Sequence, residues 1–214
     1  ILWINAEGKR RYAAPDAADL AREAKVLELL RERFANWQRK GFIPSKAIPH
    51  SGAETDRLFR ERGWTHWHHL FTPRQLLVHG LILESNRENG ASTMERVIGL
   101  LAIGRMANWN SRLCRWLQTQ GGGIGGGKDT FSNQALNTLF NFSVRPITTL
   151  KRAGTVICPD IQQKLSSKVE PCDARDVRET CDLWITDPPY ADAVNYHELG
   201  DFFLAWYEKQ LPRA

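Results

Sequence analysis

The chain contains a carboxylate, two prolines and an aromatic ring in direct succession, Asp187-Pro188-Pro189-Tyr190. Asp187 offers carboxylate oxygens, and Pro188 lacks an N–H but keeps a carbonyl acceptor. Two acceptors on one exocyclic amine draw its lone pair out of conjugation with a base ring and make the nitrogen nucleophilic. Tyr190 offers a flat face on which a flipped base can stack, and Pro189 fixes the turn before substrate arrives.

The element that must position this turn is the short apolar run Leu183 to Thr186, which is rich in β-favouring residues. It predicts a buried strand. The two prolines end that strand at once, because proline donates no ladder hydrogen bond. The turn would then lie at the carboxyl end of a strand, where ligands bind in open α/β sheets.

An Asp-Pro-Pro-Tyr turn after an apolar strand resembles the catalytic motif of amino-methyltransferases that use S-adenosylmethionine, chiefly adenine-specific DNA methylases. The run from Ala191 to Phe203 is similar to a family of large adenine-specific DNA methylases that carry a long insertion in the catalytic domain. Further stretches are similar to the same family: Gly63-Trp64, Leu70 to Leu76, Asn110-Ser111 and Trp116.

The resemblance implies methyl transfer from S-adenosylmethionine to the exocyclic amine of adenine in DNA. Asp187 to Tyr190 would be catalytic, and Tyr190, Asn195 and Tyr196 would line the base pocket. Asp173 matches the acidic residue that contacts the cofactor's adenine at the end of the strand before the catalytic one. An alternative role for Asp173 is to cap a helix at 175–180.

The implied architecture is α/β, a partial Rossmann-like methyltransferase sheet with a large, mainly helical insertion. Residues 1–150 would be the helical, DNA-contacting insertion, and residues 151–214 the partial catalytic domain. Short strands are predicted at 154–158 and 168–172. We find neither the glycine loop nor the ribose-binding acid that such a fold needs. The chain is therefore expected to be an inactive fragment that needs the remainder of the methyltransferase for cofactor binding.

Most of the predicted elements in the first 117 residues are helices. A hairpin is expected around Glu7-Gly8-Lys9, a helix from Asp16 to about Lys40, and a short helix near 53–62. Thr72 and Ser92 each open a capping box before a further helix. The helix after Ser92 is expected to reach residue 117 and to show arginines on one face, of which Arg105, Arg112 and Arg115 are candidate DNA-phosphate contacts. A solvated face is the alternative.

Charge is unevenly distributed along the chain. Residues 1–150 hold 21 Lys and Arg against 13 Asp and Glu, whereas residues 151–214 hold 8 against 11. A basic front part suits a nucleic-acid partner, because neutralising phosphates drives such binding. An Arg-rich solvated helical surface would explain the same numbers.

Metal and nucleotide motifs are weak. The four cysteines form no Cys-x-x-Cys pair, so no zinc site is expected. His66, His68 and His69 invite a metal hypothesis, but stacked or buried aromatics are favoured. Gly122 to Lys128 has Walker spacing, yet Asp129 stands where Ser or Thr is needed. The glycines are expected to form a flexible loop.

No apolar run approaches membrane-spanning length, and the composition is typical of a soluble globular protein. The unpaired cysteines favour reduced thiols in a cytoplasmic protein, and the resemblance implies a setting such as restriction or phage defence. Two alternatives stay open. The same chemistry could act on cytosine, RNA or a protein amide. The chain could instead be a basic, non-catalytic nucleic-acid-binding module.

Overall fold

The computed structural model describes residues 2–6, 9–50, 52–90, 92–116, 127–131, 168–188 and 194–211. The chain separates into two compact units. The larger unit comprises Ile1–Thr155 together with Asn195–Ala214, and the smaller comprises Val156–Val194. The division into a helical insertion at 1–150 and a partial catalytic domain at 151–214 stays a prediction.

Three long helices of the larger unit begin at the predicted caps. Helix α1 (Ala17–Lys40), α3 (Pro73–Asn89) and α4 (Thr93–Trp109) each start with a complete capping box, from Asp16, Thr72 and Ser92 respectively. In each box a side chain accepts from the N3 backbone N–H while the N3 side chain returns the contact. These signals are local in sequence, and the predictions of all three starts are confirmed.

Two shorter helices lie in the described part of the larger unit. Helix α2 (Ala53–Arg62) begins at Gly52, which has no capping side chain, and ends at Gly63 with φ +65°. Helix α5 (Tyr196–Tyr207) follows the Asp-Pro-Pro-Tyr segment and begins at Asn195. A short 3₁₀ helix, Trp67–Leu70, lies between α2 and α3.

The core of the larger unit is rich in aromatic side chains. Trp37 from α1, Trp67 from the 3₁₀ helix and Trp206 from α5 are almost completely buried. Phe202 of α5 meets Trp67 edge to face, with ring centroids 5.8 Å apart. Such pairs add about 1 kcal/mol to the gain from burial. Helix α5 therefore belongs to this core.

Strands are few and short in the described part. Strand β1 (Leu2–Ala6) pairs antiparallel with β2 (Lys9–Ala13), which confirms the predicted hairpin. Strand β3 (Arg115–Trp116) pairs antiparallel with β4 (Gly127–Lys128). Neither pair is part of a parallel sheet, and among the described residues no further sheet exists.

The predicted α/β fold, a partial Rossmann-like sheet, is therefore wrong for the described residues, which are mainly helical. Leu183 and Ile185, expected in a buried strand, are 74% and 87% exposed and adopt no regular structure. Residues 168–172, expected as a strand, are also irregular. A short apolar run becomes a strand only when a neighbouring backbone accepts its hydrogen bonds. The predicted strand at 154–158 lies outside the described residues.

Helix α4 is shorter than predicted, because it ends at Trp109 rather than near residue 117. Asn110 leaves the helix with φ −142°, and its side chain is buried. Arg112 and Arg115 are consequently not on the helix that carries Arg105, so the predicted single arginine face does not form. No helix in the described ranges has the length and apolar character needed to cross a membrane.

Candidate functional site

The first half of the Asp-Pro-Pro-Tyr motif, Asp187-Pro188, lies exposed in the smaller unit. Asp187 and Pro188 follow an irregular segment, and both are open to solvent. The carboxylate and the carbonyl are therefore accessible as acceptors. Pro189 and Tyr190 lie outside the described residues, so their predicted roles stay predictions.

Asp173, the predicted cofactor contact, has local partners in the same unit. Its carboxylate accepts from the backbone N–H of Arg175 at 2.9 Å, which caps the short 3₁₀ helix Ala174–Asp176. The Arg175 guanidinium donates to both carboxylate oxygens, at 3.0 and 2.6 Å. These hydrogen bonds lower the pKa of Asp173. Asp173 is therefore a helix cap, as in the alternative prediction, but it caps a 3₁₀ helix at 174–176 rather than a helix at 175–180.

The described residues do not form a cradle for S-adenosylmethionine. Asp173 is the predicted cofactor contact among them, and Arg175 already occupies both of its oxygens. Within the described part of the smaller unit, no strand and no glycine loop adjoins it. We therefore derive no step from a bound cofactor.

Asn195 and Tyr196, the predicted base-pocket residues, lie at the start of α5 in the larger unit, and both are exposed. Asn195 occupies the N-cap position without a capping hydrogen bond from its side chain. The first turns of α5 are packed against the rest of the larger unit, since Glu198 is buried and Asp201 accepts from Lys46 at 2.7 Å. Two exposed polar side chains thus stand at the start of a helix that is packed into this unit.

Arg105 lies on an exposed stripe of α4 whose preceding members are apolar. Met94, Ile98 and Leu101 are all exposed on this side of the helix. Ile98 also lines an open groove of about 700 Å³ between α3 and α4, with Leu81 opposite. Arg105 itself covers Trp109, at 4.5 Å from its ring centroid. Its surroundings are more apolar than an arginine-lined phosphate surface would be.

Arg112 lies in a different place, over the indole of Trp64. Its guanidinium carbon is 4.9 Å from the ring centroid, and that of Arg62 is 5.5 Å from the same ring. Trp64 is only 8% exposed beneath them. Partial burial lowers the pKa of Arg112, and repulsion from Arg62 lowers it further. The side chain of Arg115 lies outside what the structure describes.

His69 adjoins Arg112, which donates to its carbonyl, and two further histidines lie beside His69. The rings of His66 and His69 are 5.6 Å apart and those of His68 and His69 4.4 Å apart. Burial, His66 and Arg112 lower the pKa of His69, and burial is the main cause that lowers the pKa of His68 to about 4. Throughout the described ranges, no group of three or more His, Cys, Asp or Glu side chains could hold a metal ion.

The end of the glycine-rich stretch has a structural role. Asp129 accepts from Asn108 and Trp109 at 3.0 and 2.9 Å. Thr130 donates its hydroxyl to the Asn108 carbonyl at 2.7 Å. These contacts fix residues 129–130 to the end of α4. The flexible loop predicted at 121–127 falls mostly outside the described residues, while Gly127 pairs in β4.

Sequence reasoning missed the cluster of Arg62, Trp64 and Arg112, because Arg112 is remote in sequence from the other two. The Arg-Gly-Trp triplet beside three histidines was the available signal.

Comparisons of the chain with family models, with curated proteins and with solved structures find no match.

Proposed function

We propose that this chain is part of a methyltransferase that transfers methyl from S-adenosylmethionine to the exocyclic amine of adenine in DNA. The observation that supports the proposal is the Asp187-Pro188 acceptor pair, which is exposed at the start of the Asp-Pro-Pro-Tyr motif. The proposal concerns the chemistry of this turn. Cofactor binding is assigned to the remainder of the methyltransferase, which acts in the cytoplasm.

The role of the acceptors follows from the electronics of the amine. An aniline-like nitrogen is a poor nucleophile because its lone pair is delocalised into the ring. The Asp187 carboxylate and the Pro188 carbonyl accept its two N–H groups and favour the pyramidal, nucleophilic form. A carboxylate also stabilises the positive charge that develops on nitrogen during methyl transfer.

The larger unit supplies the nucleic-acid contacts in this proposal. Its helix α5 begins at Tyr196, with Asn195 as the N-cap residue five positions after Tyr190 in the chain, and is packed in an aromatic core. A base pocket needs rigid support, because misplacement by about 1 Å costs on the order of 100-fold in rate. The anchored helix start is suited to that purpose.

The direct test is nucleoside mass spectrometry of DNA treated with the full-length protein and S-adenosylmethionine carrying a labelled methyl group. We expect label in N6-methyladenine. Label in 4-methylcytosine, in RNA or in protein would move the proposal to the corresponding substrate. No label in any of these with folded full-length protein would contradict it.

A second candidate is a non-catalytic nucleic-acid-binding module. The observation that favours it is the arginine pair over Trp64 in a unit with its own aromatic core. This candidate predicts DNA binding that is unchanged in Asp187 variants and no transfer of label. The same labelling assay therefore separates the two candidates.

A further inference from the structure

We propose that Arg62 and Arg112, with His69 beside Arg112 and His66 beside His69, form a contact site for a DNA backbone phosphate, the Trp64 cluster. This inference rests on the proposed function only in taking DNA as the partner. Trp64 brings together two arginines that are 50 positions apart, because both guanidinium groups lie against its one ring.

The two arginines of the cluster concentrate positive charge at one place. Burial is the largest cause that lowers the pKa of Arg112 and of His69; repulsion from Arg62 adds to it for Arg112, and repulsion from His66 and Arg112 adds to it for His69. Among the ion pairs of the described residues, none contains Arg112, His66 or His69. The arrangement is therefore electrostatically favourable for an incoming anion.

The indole does not neutralise this charge. A cation–π contact is an attraction to the electron-rich face of the ring and leaves the full positive charge in place. The ring orients both guanidinium groups. The Arg112 guanidinium is held further by its Nη1–H, which donates to the His69 carbonyl at 3.4 Å. Oriented guanidinium forks suit a phosphate, which can accept two parallel hydrogen bonds.

The burial of Trp64 decides which part of DNA the cluster contacts. A base-stacking platform needs an exposed aromatic face, whereas Trp64 is 8% exposed and covered by the arginines. Both arginines are only half-buried, so a ligand can reach them. The site is thus suited to the sugar–phosphate backbone, and contacts of that kind carry no sequence information directly.

The test is fluorescence anisotropy of the 214-residue chain with two labelled DNA duplexes of different sequence, over a series of salt concentrations. Arg62→Gln and Arg112→Gln should each weaken binding roughly tenfold, equally for both duplexes, and lower the slope of log affinity against log salt by about 1. Arg112→Lys keeps the charge and should retain most of the slope.

The matched control is Arg87→Gln, which removes an exposed arginine whose guanidinium carbon lies 5.7 Å from the ring centroid of Phe42. It loses the same charge and the same kind of ring contact, and should leave the slope unchanged. Circular dichroism melting establishes folding. If Arg112→Gln does not fold, the salt slopes of Arg62→Gln and Arg112→Lys are compared with that of the control instead.

Unchanged salt slopes in both Arg62→Gln and Arg112→Gln would overturn the inference. So would an equal loss in Arg87→Gln, because the effect would then be one of net charge. Inorganic phosphate could shift the NMR signals of His66 and His69 while Arg62→Gln and Arg112→Gln leave the DNA affinity unchanged. The cluster would then bind small anions, and the assignment to DNA would fail. Since the readout is binding, absence of methyl transfer would leave this inference standing.

Discussion

The carboxylate of Glu198 accepts a hydrogen bond of 2.6 Å from the backbone N–H of Thr55, 143 positions earlier in the chain. Thr55 lies in the first turn of α2, whose N-cap residue, Gly52, has no side chain to offer. A buried side chain of α5 therefore caps α2 from another part of the chain. At the other end of α5, Lys209 and Gln210 donate to the carbonyls of Gln38 and Lys40, the last turn of α1.

Replacing Glu198 with Ala should reduce the free energy of unfolding by about 1–2 kcal/mol, because a buried helix start loses its acceptor. Glu198→Gln keeps one acceptor oxygen and should cost less. Urea denaturation measures both. Glu208→Gln, an exposed position just beyond the same helix, is the control and should be neutral. Equal stability of Glu198→Ala and the control would mean that water caps α2 as well as Glu198 does.

Two helical glycines form a matched pair for packing. A Cβ at Gly80 of α3 would overlap the Trp37 indole, whereas a Cβ at Gly200 of α5 meets no atom within 4 Å. Ala gains about 1 kcal/mol over Gly from helix propensity at either site. Gly200→Ala should therefore stabilise the fold, and Gly80→Ala should destabilise it by about 1–3 kcal/mol through overpacking. Thermal unfolding of both variants checks the opposite signs. Stabilisation by both would show that α1 and α3 pack less closely.

Acid should destabilise the larger unit through His79. Burial lowers its pKa to about 3, against about 6.5 in the unfolded chain. The unfolded state therefore binds the proton first. Stability from this group is fully present above pH 6.5 and falls by about 1.4 kcal/mol per pH unit between pH 6.5 and pH 3.

The measurement is the free energy of unfolding from pH 7 to pH 4 for the parent chain and for His79→Gln, with exposed His197→Gln as control. His79→Gln should flatten the pH dependence even if it lowers stability at pH 7, and His197→Gln should not. A parallel pH dependence in parent and His79→Gln would show that other groups cause the acid loss.

Sequence patterns predicted what depends on neighbouring residues. Asp16, Thr72 and Ser92 make their capping contacts within three positions, so each helix start was legible from a short stretch. The cap on α2 could not be predicted in this way, because Gly52 has no side chain and the acceptor for the Thr55 N–H comes from Glu198 of α5. The end of α4 at Trp109 depends on the buried side chain of Asn110, which accepts from Gln75 at 3.3 Å and contacts His79.

The segment at 183–186, predicted as a strand, shows the opposite limit. Leu183 to Thr186 has strand composition, but composition states only what a strand would bury, not whether a partner strand is beside it. The same limit applies to Arg105 and Arg112. Their spacing suggested one helical face, whereas the turn after Trp109 places Arg112 over Trp64.

The most direct test of the methyltransferase proposal is the rate of methyl transfer by full-length protein carrying Asp187→Ala. Asp182→Ala, which removes another exposed carboxylate from the same segment, is the matched control. Losing an acceptor from the developing charge should cost on the order of 3 kcal/mol, a rate loss of at least ~100-fold, with DNA and cofactor binding nearly unchanged. Asp187→Asn should be milder, and Tyr190→Ala should weaken base binding by roughly 1–3 kcal/mol. Parental turnover in Asp187→Ala, or an equal loss in Asp182→Ala, would contradict the proposal.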